Sequence, residues 1–191
     1  MKRIVLGITG ASGSIYAVRL TEELVKRGVF VHVVCTANGL RVLRHETGLD
    51  AAVWAAGLRE ESHNVALEDA DNLFSPVASG SFPLDAVVVA PCSMGTLGKI
   101  ACGAGDNLVC RAADVALKEG RRLLLMPRET PLSAIHLENM LKLSRLGAGI
   151  LPPEPGFYNH PQTLDDAVNF VVGKALDWLC VEHQLYKKWG I

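Results

Sequence analysis

The sequence predicts a single α/β domain in which helices cover both faces of an open, mostly parallel β-sheet. Apolar runs of strand length alternate with segments of helical periodicity from the first residues onward. Several of these runs are apolar at nearly every position, as expected of strands that are buried on both faces. The 191 residues, 49% of them hydrophobic, suit one domain over residues 1–191 with one sizeable core. The predicted architecture is therefore a three-layer α/β/α domain.

Individual elements follow from the spacing of apolar residues and from capping signals. The predicted strands are residues 3–9, 29–35, 84–90, 122–126 and 149–151. The predicted helices are residues 15–27, 38–47, 107–118, 134–146 and 164–180. Thr163 is the expected N-cap of the last helix, with Asp165 and Asp166 in the first turn, where the helix dipole favours acids. Residues 50–81 mix alanine-rich, acidic and Gly/Ser segments and give no clear pattern.

Composition and charge exclude several classes of protein. The net charge of −1 creates no strong field for nucleic acid or membrane. No apolar run reaches the roughly 20 residues that span a bilayer, and the N-terminus lacks a signal peptide's long apolar region, so we expect a cytoplasmic location. The five cysteines include no CxxC pair, and the six histidines form no metal-spaced set. We therefore expect reduced thiols, no disulfide framework and no metal site.

Loops that follow the carboxyl ends of strands are the expected ligand sites in this fold class. Here they are residues 10–14, 91–96 and 128–131. The first loop leads from a strand into a helix, where backbone N–H groups converge on an anion and Ser12 and Ser14 add hydroxyl donors. The spacing of Gly7, Gly10 and Gly13 matches neither a P-loop nor GxGxxG. The same residues also suit a tight turn without a ligand, so both interpretations stay open.

The end of the second predicted strand bears on the kind of nucleotide. Dinucleotide enzymes usually place an acid there to hold the ribose 2′-hydroxyl. In this chain Thr36 follows Cys35 and no acid is present. This disfavours NAD and leaves a mononucleotide such as FMN open.

Charged and aromatic residues outside the glycine loop each allow two interpretations. Arg111 and Lys118 share a helix face and form either a solvated ion-pair row or a clamp for a phosphate. Arg128 and Glu129 directly follow an apolar strand and are either functional or a local ion pair. Tyr158 ends a proline-rich segment and either packs as a half-buried aromatic or contacts a ligand. Two tryptophans are assigned to packing or subunit contacts: Trp178 and Trp189.

Six stretches, in order along nearly the whole chain, resemble the UbiX/Pad flavin prenyltransferases. They are ITGASGSIYAVRL, SGSF, APCSMGTLGKIACG, DNLVCRAADVALKE, RETPLSAIHLENM and PPEPGFY. The resemblance implies a Rossmann- or flavodoxin-like fold. It also implies transfer of a dimethylallyl group from dimethylallyl monophosphate to N5 and C6 of reduced FMN, without a metal. The product would serve a UbiD-type decarboxylase, and the enzyme would be a homo-oligomer, a dodecamer, with active sites at subunit interfaces.

The resemblance also implies site residues, by position. FMN would be held by Gly10, Ala11, Ser12, Thr36, Ser93, Met94, Gly95, Thr96 and Arg128. The donor phosphate would be surrounded by Arg111, Lys118, Glu129, Tyr158 and Lys174. Lys174 stands where the family usually has arginine, which keeps the charge and loses the bidentate fork.

Three of these residues would be catalytic. Lys118, among the cations at the phosphate, would stabilise the charge that grows on the leaving group. Glu129 would transfer a proton, and Ser12 would relay or orient that proton beside the flavin. The tail at about residues 181–191 is expected in subunit contacts.

Three other functions fit the sequence less well. FMN-dependent cysteine decarboxylases carry a catalytic histidine and an Asn-containing loop, where this chain has PCSMGT. A flavin-binding subunit without catalysis would not need Lys118 and Glu129. An NAD dehydrogenase is disfavoured by Thr36 and by the glycine spacing.

Overall fold

The computed structural model describes residues 2–188 and 190, and its centre is one sheet of parallel strands. The strands are β1 (Arg3–Ile8), β2 (Phe30–Cys35), β3 (Val65–Asp69), β4 (Ala86–Cys92), β5 (Arg122–Pro127) and β6 (Gly149–Ile150). Their spatial order is β3-β2-β1-β4-β5-β6, with every neighbouring pair parallel. This is the Rossmann order, in which the connections reverse direction between β1 and β4. The predicted α/β class and parallel sheet are confirmed.

Seven α-helices lie in the described part of the chain. They are α1 (Ser14–Lys26), α2 (Ala37–Thr47), α3 (Ala51–Ser62), α4 (Met94–Cys102), α5 (Leu108–Lys118), α6 (Ala134–Arg145) and α7 (Leu164–Trp178). Short 3₁₀ turns form at Pro76–Ala78 and Phe157–Asn159. The Thr163 N-cap is confirmed: its side chain accepts the Asp166 N–H, and the Asp166 carboxylate accepts the Thr163 N–H in return.

Two helices and one strand were not predicted. α3 and β3 fall within residues 50–81, where the sequence gives no clear pattern. β3 is an edge strand with only its first residue fully buried, so it lacks the apolar run of a central strand. α4 begins inside the predicted loop 91–96, since β4 continues to Cys92 and Ser93 alone separates the two elements. Gly95 and Gly98 lower the helix propensity of α4 and hide it from a sequence pattern.

Two apolar clusters, one on each face of the sheet, form the core. Alternate residues of β1 divide between them: Ile4, Leu6 and Ile8 pack with α1 and α7, and Val5 packs with α4 and α5. This division confirms the three-layer arrangement.

The five cysteines are all free thiols. Cys35, Cys92 and Cys110 are buried, and Cys102 and Cys180 are exposed. Burial raises the pKa of the Cys35 thiol to about 12, so this thiol packs as a small apolar group and is not reactive. Within the described residues, no helix is both long and apolar enough to cross a membrane. Trp189, which was assigned to packing or subunit contacts, lies outside the described residues.

Candidate functional site

The carboxyl ends of β1 and β4 meet where the strand order reverses, and the side chain of Thr9 joins them. Its hydroxyl donates to the Pro91 carbonyl at 2.7 Å and accepts the Ser93 N–H at 2.8 Å. Thr9 is fully buried. Because its partners are backbone groups at the end of β4 and at the N-cap of α4, Thr9 fixes where α4 begins beside the glycine loop.

The N-termini of α2 and α4 also lie at this edge of the sheet. At the start of α2, the Thr36 hydroxyl accepts the Gly39 N–H at 3.1 Å and lies 3.4 Å from the Ile8 carbonyl. At the start of α4, the Ser93 hydroxyl accepts the Thr96 N–H and donates to the Thr96 hydroxyl at 3.1 Å. Helix N-termini carry partial positive charge and unsatisfied N–H groups. The edge therefore suits a negatively charged ligand.

The N-terminus of α1 already holds an anion, the carboxylate of Glu46 from α2. This carboxylate accepts the N–H of Gly13 at 3.0 Å and of Ser14 at 2.8 Å, and the Ser12 side chain adds a further contact. Partial desolvation acts to raise the pKa of Glu46, but these hydrogen bonds outweigh it and hold the pKa below its ordinary value. The anion bound at the glycine loop is therefore a side chain of the same protein. Neither interpretation of the loop from the sequence, an anion site for a ligand or a tight turn without one, predicts this contact.

Glu46 is the site residue that the sequence analysis missed. It lies 32 residues from Ser14 along the chain, in the last turn of a helix whose partner a pattern cannot reveal. The sequence carries no signal for this contact, because the packing of α2 beside the loop is a tertiary feature.

Arg128 links the end of β5 to the glycine loop. Its Nε donates to the Ser12 carbonyl at 3.2 Å, and its backbone N–H donates to the Cys92 carbonyl at 3.3 Å. The neighbouring Glu129 is exposed, and its carboxylate accepts the Thr130 N–H at 3.2 Å. Among the described residues, no ion pair joins Arg128 to Glu129, so the local ion-pair interpretation gains no support.

A cavity of about 660 Å³ opens beside this loop, within the usual size range of small-molecule sites. Both polar groups and apolar side chains line it. The lining includes Ser12, Gly13, Glu46, Arg128, Ile15, Tyr16 and Leu49. Of the FMN residues predicted from the resemblance, Ser12 and Arg128 line this cavity, and Thr36 and Ser93 cap α2 and α4 at the same edge of the sheet. A larger cavity, of about 800 Å³, lies near the opposite edge around Arg27 and Glu182.

Arg111 and Lys118, two of the predicted donor residues, are on α5 and do not line this cavity. Arg111 donates to the Ala78 carbonyl at 3.1 Å and pairs with Asp114 at 2.8 Å, and Lys118 pairs with Glu119. α5 begins beside the carboxyl end of β3 and ends where β5 begins. Lys118 is therefore near the amino edge of the sheet.

The length of β5 separates this cation from Glu129. Its six residues span about 20 Å at roughly 3.3 Å each. A single chain does not bring Lys118 and Glu129 into one site.

Tyr158 and Lys174, the remaining predicted donor residues, belong to an aromatic cluster beside α7. The ring of Tyr158 meets the edge of Phe170 at a centroid distance of 5.7 Å. Phe170 lies 5.1 Å from the ring of Tyr186, and the Lys174 Nζ lies 5.9 Å from the Tyr186 centroid. The predicted donor residues are thus divided among three places in the fold.

Comparisons with known proteins agree with this architecture. The profile of the Flavoprotein family matches residues 1–176. A flavin prenyltransferase UbiX from Halalkalibacterium halodurans is 50% identical over 97% of this chain and 92% of its own length. The structure of AnUbiX (PadA1) in complex with FMN and dimethylallyl pyrophosphate superposes with a TM-score of 0.92 at 37% identity, over 100% of this chain and 98% of that one.

A second solved structure resembles the chain as closely. It is a dodecameric FMN-dependent UbiX-like decarboxylase from Escherichia coli O157:H7, with a TM-score of 0.92 and 43% identity, over 99% of this chain and 100% of that one. At this identity and coverage, the chain belongs to the flavoprotein family and, within it, to the UbiX flavin prenyltransferases.

Proposed function

We propose that this protein joins the dimethylallyl group of dimethylallyl monophosphate to N5 and C6 of reduced FMN. The observation that carries the proposal is the edge of the sheet at β1 and β4, where two helix N-termini, Arg128 and a cavity of about 660 Å³ come together in a chain of this family. The prenyltransferase class and the flavin are those of its relatives.

The residues at this edge fit FMN. Because Glu46 occupies the N-terminus of α1, the N-termini of α2 and α4 are those left for the negatively charged phosphate. Apolar side chains of the cavity suit the flavin ring, and Arg128 suits its polar edge. The proposed FMN set keeps every residue of the resemblance: Gly10, Ala11, Ser12, Thr36, Ser93, Met94, Gly95, Thr96 and Arg128.

The first step of the proposed reaction needs positive charge around the donor phosphate. The bond between the donor's C1 and its phosphate oxygen breaks, phosphate leaves with the electron pair, and N5 of the reduced flavin bonds to that carbon and releases its proton. Arg111, Lys118 and Lys174 would stabilise the departing phosphate, and Tyr158 would donate a hydrogen bond to it.

The second step needs proton transfer. Closing the ring at C6 releases the proton of that carbon, and the donor's double bond takes up one proton. Glu129 would exchange a proton with the substrate, and Ser12 would orient the flavin or relay a proton. The contact of Ser12 with Glu46 gives that hydroxyl a carboxylate partner, so we add Glu46 to the proposed proton path.

We propose further that the active enzyme is a homo-oligomer, as is the UbiX-like dodecamer. α6 and the adjoining loop leave large apolar side chains uncovered, which in soluble proteins marks contact surfaces. They are Leu132, Ile135, Leu137, Leu141 and Leu146. The recipient of the product would be a UbiD-type decarboxylase, and we place the enzyme in the cytoplasm because its free thiols suit a reducing compartment.

An anaerobic assay tests the reaction. The protein is incubated with reduced FMN and dimethylallyl monophosphate, and the released flavin is weighed by mass spectrometry. We expect a gain of one C₅H₈ unit, strongly depressed in Glu129→Gln with FMN binding retained, and unchanged in the exposed control Glu60→Gln. Unmodified FMN with binding intact would instead favour a flavin-binding subunit or a different donor.

A further inference from the structure

The chain turns back after α7, and residues 181–188 lie along that helix as a C-terminal strap. Its start is fixed to the body of the domain by two cations. The Lys2 Nζ donates to the Cys180 carbonyl at 2.8 Å, and the Arg27 Nε donates to the Glu182 carbonyl at 2.8 Å. The strap and the residue before it are therefore attached next to the start of β1 and the end of α1.

Asp177, in the last turn of α7, holds two side chains of the strap. Its Oδ2 accepts the Tyr186 hydroxyl at 2.5 Å, and its Oδ1 lies 3.2 Å from the His183 Nε2. The His183 Nδ1 accepts the Leu185 N–H at 3.1 Å, so the Nε2 carries the hydrogen and donates to Asp177. The His183 side chain is only 2% exposed. Asp177 thus satisfies a buried donor and a tyrosine at once.

Gly173 allows the strap to lie directly on α7. A Cβ at this position would be 2.5 Å from the Tyr186 Cδ1 and 2.8 Å from the His183 Cε1. Glycine inside a helix is less favourable than alanine. The close approach of the strap explains why a glycine stands there.

The ring of Tyr186 supports both donor residues assigned to this part of the chain. Lys174 lies over its face, with the Nζ 5.9 Å from the ring centroid. Phe170 packs on Tyr186 and in turn on the ring of Tyr158. Gly156 permits this contact, since a Cβ there would be 2.8 Å from Phe170.

We propose that Asp177 and Tyr186 are positioning residues for the prenyl donor. Asp177 fixes the Tyr186 ring through its hydroxyl, and the ring restrains the side chains of Lys174 and Tyr158. Lysine has a flexible stem and lacks arginine's planar fork, so a ring beneath Lys174 lowers the entropy lost when it binds phosphate. The inference rests on the proposed function, in which Lys174 and Tyr158 bind the donor phosphate.

Steady-state kinetics with varied dimethylallyl monophosphate and saturating reduced FMN test the proposal. Tyr186→Ala removes the ring and should raise the donor KM about tenfold, while Tyr186→Phe keeps the ring and should raise it about threefold. Asp177→Asn should resemble Tyr186→Phe. In all three, kcat and the FMN Kd should stay within about twofold of the wild type. The exposed strap residue Gln184 provides the matched control, Gln184→Ala, with no change expected.

The possible outcomes distinguish this inference from the proposed function on which it rests. A donor KM that stays at the wild-type value in Tyr186→Ala, with the wild type active, would overturn the positioning role alone. A lower melting temperature and lower kcat at an unchanged KM would show a purely structural role and also overturn it. A wild type that forms no prenylated flavin would overturn both proposals.

Discussion

The hydroxyl of Thr9 is buried between β1 and β4, and both of its hydrogen-bond partners are backbone groups. A side chain of this kind sets the start of α4 and hence the position of Ser93. Its loss would leave the Ser93 N–H without this partner, and the Pro91 carbonyl would keep only the longer hydrogen bond from the Thr9 N–H, at 3.3 Å.

Thr9→Val should lower the free energy of unfolding by about 1–3 kcal/mol and weaken FMN binding, because the Ser93 N–H loses its partner and the Pro91 carbonyl loses the shorter of its two hydrogen bonds. Thr21→Val is the matched control: Thr21 is equally buried, but its hydroxyl donates to the Ala17 carbonyl within one helix, so its loss should cost much less. Urea unfolding and flavin titration measure both effects. Equal costs for the two variants would contradict the assigned role of Thr9.

Glu46→Gln should reduce stability at neutral pH by roughly 0.5 kcal/mol, since solvent screens this exposed carboxylate. The folded-state pKa of Glu46 is lowered, so its contribution is present above the unfolded pKa near 4.5 and is lost as pH falls through the folded value. The difference between wild type and variant should therefore be constant from pH 7 to about pH 5 and shrink in more acidic solution. Unfolding titrations across this range check it; a difference that grows in acid would mean the pKa is raised.

Glu46 also shows where prediction from sequence stops at the residue scale. Ser12, Ser93 and Arg128 could be assigned to one edge, because each directly follows a strand of a parallel sheet. Glu46 could not, because its side chain reaches the loop from a helix whose orientation depends on tertiary packing. The direction of a helical side chain is fixed only when the helix is placed.

At the scale of elements, the first turn of α2 rests directly on the end of β1. A Cβ at Gly39 would overlap the Ile8 carbonyl group, with the carbonyl carbon at 2.8 Å. Only glycine lets Thr36 and the N-terminus of α2 come so close to the glycine loop. The elements that the sequence did not predict are also explained at this scale. A short edge strand and a glycine-containing helix lack the clear pattern of apolar residues that identifies β1 or α5.

Gly39→Ala should destabilise the protein by about 1–3 kcal/mol and weaken FMN binding, because the added methyl group pushes α2 away from β1. Gly57→Ala in α3 is the control, since a Cβ there meets no atom within 4 Å. That variant should gain about 0.5–1 kcal/mol from helix propensity and bind FMN normally. Thermal unfolding and flavin titration distinguish the two, and a stable Gly39→Ala with normal binding would contradict this close packing.

At the scale of the whole molecule, Lys118 and Glu129 are at opposite edges of the sheet. Lys118 ends α5 near the amino edge of the sheet, and Glu129 follows β5 at the carboxyl edge, about 20 Å away. A donor phosphate cannot contact both within one chain. If both act in the reaction, one of them must come from a neighbouring subunit.

This arrangement predicts complementation between inactive variants. Glu129→Gln and Lys118→Met should each be inactive alone, yet co-expressed as mixed oligomers they should recover up to about a quarter of wild-type activity, because random assembly pairs an intact Lys118 with an intact Glu129 in one site out of four. Differently tagged variants, purified through both tags in succession, isolate the mixed oligomers, and flavin mass measures turnover. Mixing the purified homo-oligomers without subunit exchange serves as the control and should stay inactive. Mixed oligomers as inactive as their parents would show that both side chains must come from the same subunit. A rearrangement within one subunit would then have to bring Lys118 and Glu129 together across the length of β5.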